Sequence, residues 1–221
     1  MIHCLVKALS QLKRRMNLNE NYMNVISEIP SKEILDKLSF RTTLERSLKK
    51  ISLKEYTLEE LMIDIAAYRA VSRSTLLNSG ILNVRFKSDD SVERKYEKTI
   101  RNHLGFTQCF NDLIGIRLHL KEYPLIFPEY FRVVDLRNGK KVDDGYRAIH
   151  LYYQRDNYSY PIEIQLWCGK DYYFNLWSHI AAYKYARPEI GKQLYDLYQA
   201  GSIKSLEDFE KEMMLVESRD E

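Results

Sequence analysis

A basic segment around residue 90 carries side chains of the types that bind phosphate. Arg85 and Lys87 are two residues apart, so an extended chain projects both to one side. If a helix begins near Ser88, then Ser91 and Lys95 lie at i and i+4 on one of its faces. This geometry could close around a polyphosphate. The alternative is a solvated charged loop, which is the more frequent meaning of mixed charge.

Polar residues also interrupt two apolar segments further along the chain. Asp112 stands at the start of the first, and Gly115 within it could mark a bulge or a close approach of the backbone. In the later segment Glu163 and Gln165 alternate with isoleucine, which predicts one buried face and one face presenting a carboxylate and an amide. Two carboxylates are what Mg²⁺ carrying a nucleotide polyphosphate needs.

A third apolar segment, between these two, adds aromatic and imidazole groups. Tyr146, His150 and Tyr152 fall on the face opposite Ile149 and its apolar partners. An aromatic ring beside the carboxylates could stack a base, so these groups would make a coherent site on one wet face of a sheet. Spacing alone favours a plainer interpretation, in which the polar residues form the solvent face of an amphipathic sheet.

The elements that must position these residues are strands in the middle of the chain and helices on either side. Residues 112–120, 146–154 and 160–167 are short, rich in Ile, Leu and Tyr, and separated by turn-rich stretches. They are therefore predicted to be neighbouring strands of one mixed or antiparallel sheet.

The first eighty residues are predicted to be helical. Leu44, Leu48 and Ile51 repeat at helical spacing, and Thr57 with Glu60 forms a capping box for a helix that runs to about residue 80. After the last predicted strand a helical pattern resumes, breaks near residue 187 and continues to about residue 198.

Length and composition favour one compact domain and exclude a multidomain regulator. The chain has 221 residues, of which 45% are apolar and 29% charged, so a packed core is expected and disorder is not. Eight Gly and five Pro indicate long elements with few glycine-dependent turns. Seventeen Tyr are unusual, and a flat ring with a polar tip suits a stacking surface as well as a core.

The net charge of +3 is divided unevenly along the chain. Residues 207–221 hold seven acidic and two basic side chains, so they carry −5 and the remainder carries +8. A body with that excess attracts phosphates, and the acidic end is predicted to be a frayed tail that aids solubility.

Known metal, nucleotide and targeting motifs are missing from the sequence. It has no Walker loop, dinucleotide fingerprint, H-E-x-x-H or C-x-x-C pair, and its three cysteines are far apart. It also lacks an apolar signal-peptide core and any apolar run as long as a membrane span. We therefore expect a soluble protein of the reducing cytoplasm without a membrane partner.

Taken in order, these segments resemble the synthetase domain of the RelA/SpoT family, the alarmone synthetases. The motifs that carry the resemblance are R-F-K-S-x-x-S-x-x-R-K at 85–95, D-L-I-G-I-R at 112–117, G-Y-R-A-I-H at 145–150, E-I-Q at 163–165 and H-x-x-x-Y-K at 179–184. One such piece would be weak. Five in this order and spacing overturn the interpretation of the polar face as ordinary surface.

The resemblance implies an α+β fold: a mixed, largely antiparallel sheet of about five strands flanked by helices, as in nucleotidyltransferase-like proteins, with further N- and C-terminal helices. It implies an N-terminal helical region over residues 1–80, a pyrophosphokinase core over 81–187, and C-terminal helices with the acidic tail over 188–221. The hydrolase and regulatory domains of the long family members have no room in this length.

The activity implied is that of an ATP-dependent pyrophosphokinase, which moves the β,γ-pyrophosphate of ATP onto a ribose 3′-hydroxyl and releases AMP, with Mg²⁺ as cofactor. The expected catalytic residues are Asp112, Glu163 and Tyr146, of which Asp112 and Glu163 bind the metal. Glu163 would also help to draw the proton from the attacking hydroxyl. ATP would be held by Arg85, Lys87, Ser88, Ser91 and Lys95. The acceptor would be held by Tyr146, which stacks its base, and by His150, Gln165 and His179, with Arg117 also lining the site.

The sequence departs from the family pattern on the acceptor side. Members that use guanine nucleotides usually follow E-I-Q with an Ile-Arg-Thr-like triplet and place a lysine four residues before the tyrosine of G-Y. Here the triplet is Leu166-Trp167-Cys168, and the lysine position is Val142, with Lys141 one place off.

Residues 143–167 and the later F-N-L-W-S-H look more like the toxic small alarmone synthetases, which include members that pyrophosphorylate the 3′-terminal adenosine of tRNA and have an antitoxin partner. We therefore expect the tRNA 3′ end as acceptor, ahead of GDP or GTP, with (p)ppApp synthesis a further variant. A homo-oligomer is also compatible with the resemblance.

The alternative that is not an enzyme is an inactive nucleotide- or RNA-binding module. Candidates for contacts to the tRNA backbone are Lys13, Arg14, Arg15, Lys49 and Lys50.

Overall fold

The computed structural model describes residues 28–44, 46–51, 56–79, 84–181 and 188–218, although the side chains of several helical residues, His179 among them, lie outside this description. The helices are α1 (Lys32–Leu38), α2 (Leu58–Ser79), α3 (Asp89–Arg101), α4 (Phe106–Cys109), α5 (Asp171–Ala181), α6 (Pro188–Gln199) and α7 (Leu206–Ser218). The strands are β1 (Val84–Phe86), β2 (Ile114–Leu120), β3 (Phe131–Asp135), β4 (Ile149–Tyr153) and β5 (Ile162–Cys168).

The five strands form one sheet in the order β1-β2-β5-β4-β3. Strands β2 and β5 are parallel, and the other three neighbouring pairs are antiparallel. The predicted α+β class, with a mixed and largely antiparallel sheet of five strands, is confirmed. The three predicted strands become β2, β4 and β5, which begin two or three residues later than expected; β4 also ends one residue earlier and β5 one residue later. The five-residue edge strand β3 is an element that the sequence analysis did not predict.

One face of the sheet is apolar and packs against α1 to α4. Alternate residues such as Ile116, Leu151 and Ile164 are fully buried on this face and join one core cluster with Leu35 of α1 and Leu61 of α2. Such alternation is what a half-buried strand requires. The opposite face is left for polar side chains, which is where the candidate site lies.

The helix α2 begins as its capping box predicts. The Thr57 amide donates to Glu60 Oε2 at 2.8 Å, and the Glu60 amide donates to Thr57 Oγ1 at 3.2 Å. The helical prediction for Leu44, Leu48 and Ile51 is wrong, because the described residues here, 44 and 46–51, form turns and irregular backbone. The Leu48 amide donates to the Asn157 carbonyl, and just before this segment the Thr42 amide donates to the Tyr158 carbonyl.

A second apolar core lies among α5, α6 and α7. Phe174, Leu194, Phe209 and Met213 are fully buried in it. The prediction of a frayed acidic tail over residues 207–221 is therefore wrong for residues 207–218, which belong to the packed helix α7. This helix starts at a reciprocal cap between Ser205 and Asp208, in which each backbone amide donates to the other side chain at 3.1 Å.

Among the described residues, none of the helices combines the length and apolar character needed to cross a bilayer. The predicted boundaries at residues 80 and 187 both fall outside the described residues, so the division of the chain into three parts stays a prediction.

Candidate active site

The strand register lines up polar side chains from four strands across the face opposite the main core. Arg85 of β1 is paired with Gly115 of β2, Gly115 with Glu163 of β5, and Glu163 with Tyr152 of β4. Residues paired in this way point to the same face of a sheet. The next row on that face contains Arg117, Gln165 and His150.

Gly115 leaves a notch in the first of these rows. A Cβ atom at this position would lie 3.7 Å from Glu163 Oε2 and 4.0 Å from Arg85 Nε. The register runs through Gly115 without an extra residue, so the bulge considered for this glycine is absent. The glycine instead keeps space open between a guanidinium and a carboxylate.

The basic segment folds as a strand, a turn and a helix around Asp112. Lys87 follows β1 and places its Nζ 2.5 Å from Asp112 Oδ2, and Lys95 of α3 places its Nζ 2.8 Å from Asp112 Oδ1. Ser88 is the residue before the first turn of α3, and its hydroxyl donates to Ser91 Oγ at 2.9 Å. The two ammonium groups thus converge on Asp112, and the two hydroxyls pair with each other at the start of the helix that carries Lys95.

The charges around Asp112 set its ionisation. Burial raises the pKa of the Asp112 carboxyl, but the charges of Lys95 and Lys87 outweigh burial, so that the pKa is lowered overall. Burial lowers the pKa of the Lys87 ammonium, and the attraction of Asp112 offsets this only in part. Lys87 is therefore a partly desolvated cation, which gains from any additional negative charge brought to it.

Glu163 is more enclosed than the predicted wet face implies, with only 5% of its surface exposed. Tyr152 donates its hydroxyl to Glu163 Oε1 at 3.0 Å, His150 Nδ1 lies 3.1 Å from the same oxygen, and Gln165 donates to Oε2 at 2.9 Å. This part of the prediction is corrected: neighbouring side chains cover the carboxylate and satisfy it with hydrogen bonds.

The same neighbours keep Glu163 ionised. Burial raises the pKa of its carboxyl, but the hydrogen bond and the charge of His150 outweigh burial, so that the pKa is lowered overall. The charge of Asp112 acts in the opposite direction, which means that the two carboxylates repel each other.

Tyr146, which is predicted to bind the acceptor, lies just before β4. Its hydroxyl is 2.9 Å from His150 Nε2 and accepts a hydrogen bond of 2.9 Å from Trp167 Nε1. Both neighbouring rings meet Tyr146 edge to face. Lys140 Nζ lies 4.8 Å from the centre of the Tyr146 ring and forms an ion pair of 2.5 Å with Asp144.

Arg117 connects this aromatic group to the polar row. Its guanidinium carbon lies 3.8 Å from the centre of the Trp167 ring, and it donates to Gln165 Oε1 at 3.4 Å. Burial lowers the pKa of Arg117 to about 10. The side chain is therefore a cation whose hydration has largely been replaced by an aromatic face and an amide.

The loop that presents Tyr146 is fixed from behind by α5 and α6. A Cβ atom on Gly191 of α6 would overlap the carbonyl oxygen of Asp144, so the two backbones touch directly. Arg147 donates two hydrogen bonds, of 2.7 and 2.8 Å, to the Asp143 carboxylate, and its guanidinium stacks on the Tyr195 ring of α6. Asn175 of α5 also exchanges hydrogen bonds with the backbone of Arg147.

Asp112 and Glu163 are the groups that fit a magnesium ion. Mg²⁺ commonly uses one or two carboxylates, completing its shell with substrate phosphates and water. The repulsion felt between Asp112 and Glu163 is what a divalent cation would relieve. Among the described residues, no three His, Cys, Asp or Glu side chains are grouped so that they could hold a metal ion.

The described structure brings all but one of the predicted site residues to the same sheet face and its rim. The exception is His179, whose helix follows β5 but whose side chain lies outside the described residues. Trp167 and Lys140 are additions that the sequence analysis did not assign to the site. In the sequence, Trp167 is one of the residues that depart from the family pattern, and Lys140 is two residues before Val142, which occupies the lysine position of that pattern.

The protein-family models and the curated proteins contain no match to this chain. Among solved structures, it is similar to the small alarmone synthetase 1 of Bacillus subtilis bound to its product pppGpp, with 21% identity, coverage of 73% of this chain and 90% of that one, and a TM-score of 0.37. It is also similar to a GTP pyrophosphokinase family protein of Streptococcus pneumoniae, with 22% identity, coverage of 74% of this chain and 88% of that one, and a TM-score of 0.36. The small alarmone synthetase 2 of Bacillus subtilis has 18% identity, coverage of 75% of this chain and 97% of that one, and a TM-score of 0.36. These values are too low to carry an argument about function, which depends instead on this chain's own residues.

Proposed function

We propose that this chain is a RelA/SpoT-type pyrophosphokinase, which transfers the β,γ-pyrophosphate of ATP to a ribose 3′-hydroxyl. One observation carries the proposal. Motif residues between Arg85 and Gln165, eighty positions apart in sequence, meet around the notch at Gly115 on a single sheet face. An ordinary polar sheet surface has no reason to collect two ammonium groups, two guanidinium groups and two carboxylates there.

The β1–α3 segment supports ATP as the donor. Lys87 and Lys95 are already held side by side through Asp112, and Arg85 borders the notch. Polyphosphate oxygens would supply the negative charge that Lys87 lacks at its partly buried position. Ser88 and Ser91 add hydroxyl donors at the start of the same helix.

Asp112 and Glu163 would hold Mg²⁺ that arrives with ATP. The ion would supply charge neutralisation on the phosphate oxygens. Phosphoryl-group transfer needs little covalent help from a protein and depends chiefly on positioning and electrostatic stabilisation. The cations around the notch would provide both.

The transfer step can be written with its atoms balanced. The acceptor 3′-oxygen forms a bond to the β-phosphorus of ATP, the bond from that phosphorus to the oxygen bridging to the α-phosphorus breaks, and AMP leaves. The hydroxyl proton passes to the Glu163 carboxylate, which its hydrogen bonds keep ionised. Tyr146 would stack the acceptor base, with His150 and Gln165 beside it.

The acceptor that we favour is the 3′-terminal adenosine of tRNA, which would make the protein a toxic inhibitor of translation in the cytoplasm, with an antitoxin partner. The rings of Tyr146 and Trp167, with the Arg117 guanidinium over the Trp167 ring, form an enclosed group that suits an unpaired base at the end of a nucleic-acid strand. Lys49 and Lys50 are exposed cations suited to the backbone of a polyanion, whereas Lys13, Arg14 and Arg15 lie outside the described residues.

A guanine nucleotide is the second candidate, because Lys140 supplies a cation beside Tyr146. The missing lysine of the sequence pattern could thus be replaced from a position two residues away. An inactive binding module is disfavoured, since such a module does not require a pair of mutually repelling carboxylates beside a polyphosphate cradle.

The test is transfer of label from ATP carrying ³²P at the γ-position. The full chain is incubated with Mg²⁺ and, separately, with deacylated tRNA, GDP, GTP and AMP. We expect labelled tRNA and stoichiometric AMP, and no label on tRNA that lacks its terminal adenosine. Label on GDP or GTP alone would replace the tRNA proposal with the second candidate. No label on any acceptor would overturn the pyrophosphokinase proposal.

Two variants make this assay specific. Asp112→Asn removes the carboxylate between Lys87 and Lys95 and should lower transfer by at least about a hundredfold. Asp135→Asn removes a carboxylate from an exposed pair with Arg137 on the edge strand and should leave transfer unchanged.

A further inference from the structure

The turn between β1 and α3 is held from outside by Arg69, a residue in the middle of α2. Its Nη1 donates to Asp89 Oδ1 at 2.5 Å, and its Nη2 donates to the backbone carbonyl of Lys87. Asp89 is the first residue of α3, and Ser88 stands between it and Lys87. One planar guanidinium therefore joins the residue before Ser88 to the residue after it.

The helix that carries Arg69 is a rigid support. The preceding residue, Tyr68, is 1% exposed and stacks on Phe40 and Tyr160 in the main core. The Arg69 side chain is itself mostly covered. A guanidinium that projects from a packed helix is already confined before it makes its two contacts, so it can fix the turn at a small cost in conformational freedom.

Lys87 is the residue that this contact positions. Its amide donates to the Leu113 carbonyl at 2.9 Å and its carbonyl accepts from Arg69, so the backbone is held on both sides of its Cα atom. Leu113 directly follows Asp112, whose carboxylate lies 2.5 Å from the Lys87 ammonium. The contact from Arg69 thus helps to determine where that ammonium lies relative to Asp112.

We propose that Arg69 is a positioning residue of the polyphosphate site, which fixes the Lys87 ammonium and the start of α3 for the binding of a nucleoside triphosphate. Its ion pair has a second effect of the same sign, because it neutralises Asp89, whose charge would otherwise repel phosphate at the start of this helix. The inference rests on the proposed pyrophosphokinase function for its ligand, whereas the hold of Arg69 on the turn does not depend on that ligand.

The direct test is the binding of α,β-methylene-ATP with Mg²⁺ to the full chain, measured by isothermal titration calorimetry. This analogue has carbon in place of the oxygen whose bond would break, so binding is observed without transfer. Arg69→Ala should weaken binding by at least about tenfold, because ion pairing at a partly desolvated site depends strongly on distance. In the labelling assay the KM for ATP should rise, while the KM for the acceptor stays unchanged.

Three further variants make the binding test specific. Arg73→Ala is the matched control, because Arg73 is an exposed arginine one turn further along α2, and this variant should bind the analogue normally. Arg69→Lys keeps the charge but not the planar fork, so it should bind more weakly than the unmodified protein even if Arg69→Ala folds poorly. Adding Asp89→Asn to Arg69→Ala removes the repulsion and should restore affinity by no more than about fivefold, as expected for an exposed charge.

Amide hydrogen exchange provides a readout that needs no ligand. In Arg69→Ala the amides of Lys87 and Val92 should exchange faster, since the first donates to Leu113 and the second to the Ser88 carbonyl, while the amides of β2 and β5 stay protected.

Three results would overturn the inference: unchanged affinity in a folded Arg69→Ala protein, full recovery of affinity when Asp89→Asn is added, or an equal loss of protection throughout the sheet. If the unmodified protein does not bind the analogue, the proposed function fails instead, and faster exchange confined to the turn would still show that Arg69 holds it.

Discussion

At the scale of single residues, Gly115 determines what can enter the site. It stands between Arg85 and Glu163 in the register, and because it has no side chain, space is left between those two groups. A phosphate or a metal ion must occupy that space to contact both groups. The glycine therefore has a steric role that its position inside a regular strand does not otherwise explain.

Gly115→Ala should fold normally and transfer pyrophosphate poorly. The added Cβ would lie at an ordinary contact distance of 3.7 Å from Glu163 Oε2, and an alanine reduces the freedom of the unfolded chain, so the free energy of unfolding should be unchanged or rise by up to about 1 kcal/mol. Transfer should fall at least about tenfold, because the phosphate is displaced from its cations. Thermal unfolding and the labelling assay measure the two effects.

Val134→Ile is the matched control for this change. Val134 is paired with His150 at the far end of the second polar row, so the variant adds one carbon to the same sheet face away from the notch. Equal losses of transfer in Val134→Ile and Gly115→Ala would show that added bulk on this face, and not the notch, is responsible.

The residue-scale comparison with the sequence shows which contacts periodicity can predict. Periods of two and four residues pair Arg85 with Lys87 and Ser91 with Lys95, so these two pairings could be predicted from the sequence. The bond from Trp167 to Tyr146 joins residues 21 positions apart and depends on the loop before β4. Local spacing carries no information about such a loop. For the same reason it did not predict that Lys140 lies beside Tyr146.

At the scale of elements, the loop that carries Tyr146 is held in place by the C-terminal helices. Gly191 of α6 touches the backbone of Asp144, and Arg147 joins Asp143 to Tyr195 of the same helix. The position of α6 therefore determines where the loop of Tyr146 lies above the sheet. Strand β3 was not predicted, and the helical spacing of Leu44, Leu48 and Ile51 was misleading, because an edge strand of five residues and a segment of turns are both decided by tertiary partners.

The Asp143–Arg147 pair makes this attachment dependent on pH. The hydrogen bonds from Arg147 lower the pKa of Asp143 below its ordinary value near 3.9. A carboxyl whose pKa is lower in the folded state contributes stability that is complete above the unfolded value and is lost as the pH falls through the folded one. Asp143→Asn should therefore cost about 2 kcal/mol of unfolding free energy at pH 6, with the difference shrinking below pH 4.

Urea denaturation at pH 6 and pH 3 measures this dependence. Asp135→Asn serves as the control, because Asp135 and Arg137 are both more than 40% exposed and their pair should contribute less than about 1 kcal/mol. A loss in Asp143→Asn that is the same at both pH values would show that packing, and not the charge of Asp143, holds the loop to α6.

At the scale of the whole molecule, two apolar cores support the site from different sides. The larger core fixes the sheet, while the smaller core of α5, α6 and α7 fixes the loop of Tyr146 through Asn175 and Gly191. The acidic C-terminal segment was predicted to be a solvated tail because its charges were counted without regard to their faces. Phe209, Met213 and Val216 recur at helical spacing within it and are buried.

Adjacent methionines on α7 allow the smaller core to be tested with a near-identical control. Met213 is fully buried, whereas Met214 is 46% exposed. Met213→Ala should lower the free energy of unfolding by about 2–5 kcal/mol through the cavity that it leaves, and Met214→Ala by less than about 0.5 kcal/mol. Because the smaller core holds the acceptor loop, Met213→Ala should also raise the acceptor KM while the ATP KM stays unchanged. Equal rises in both KM values would mean that α7 supports the whole fold and not the acceptor side in particular.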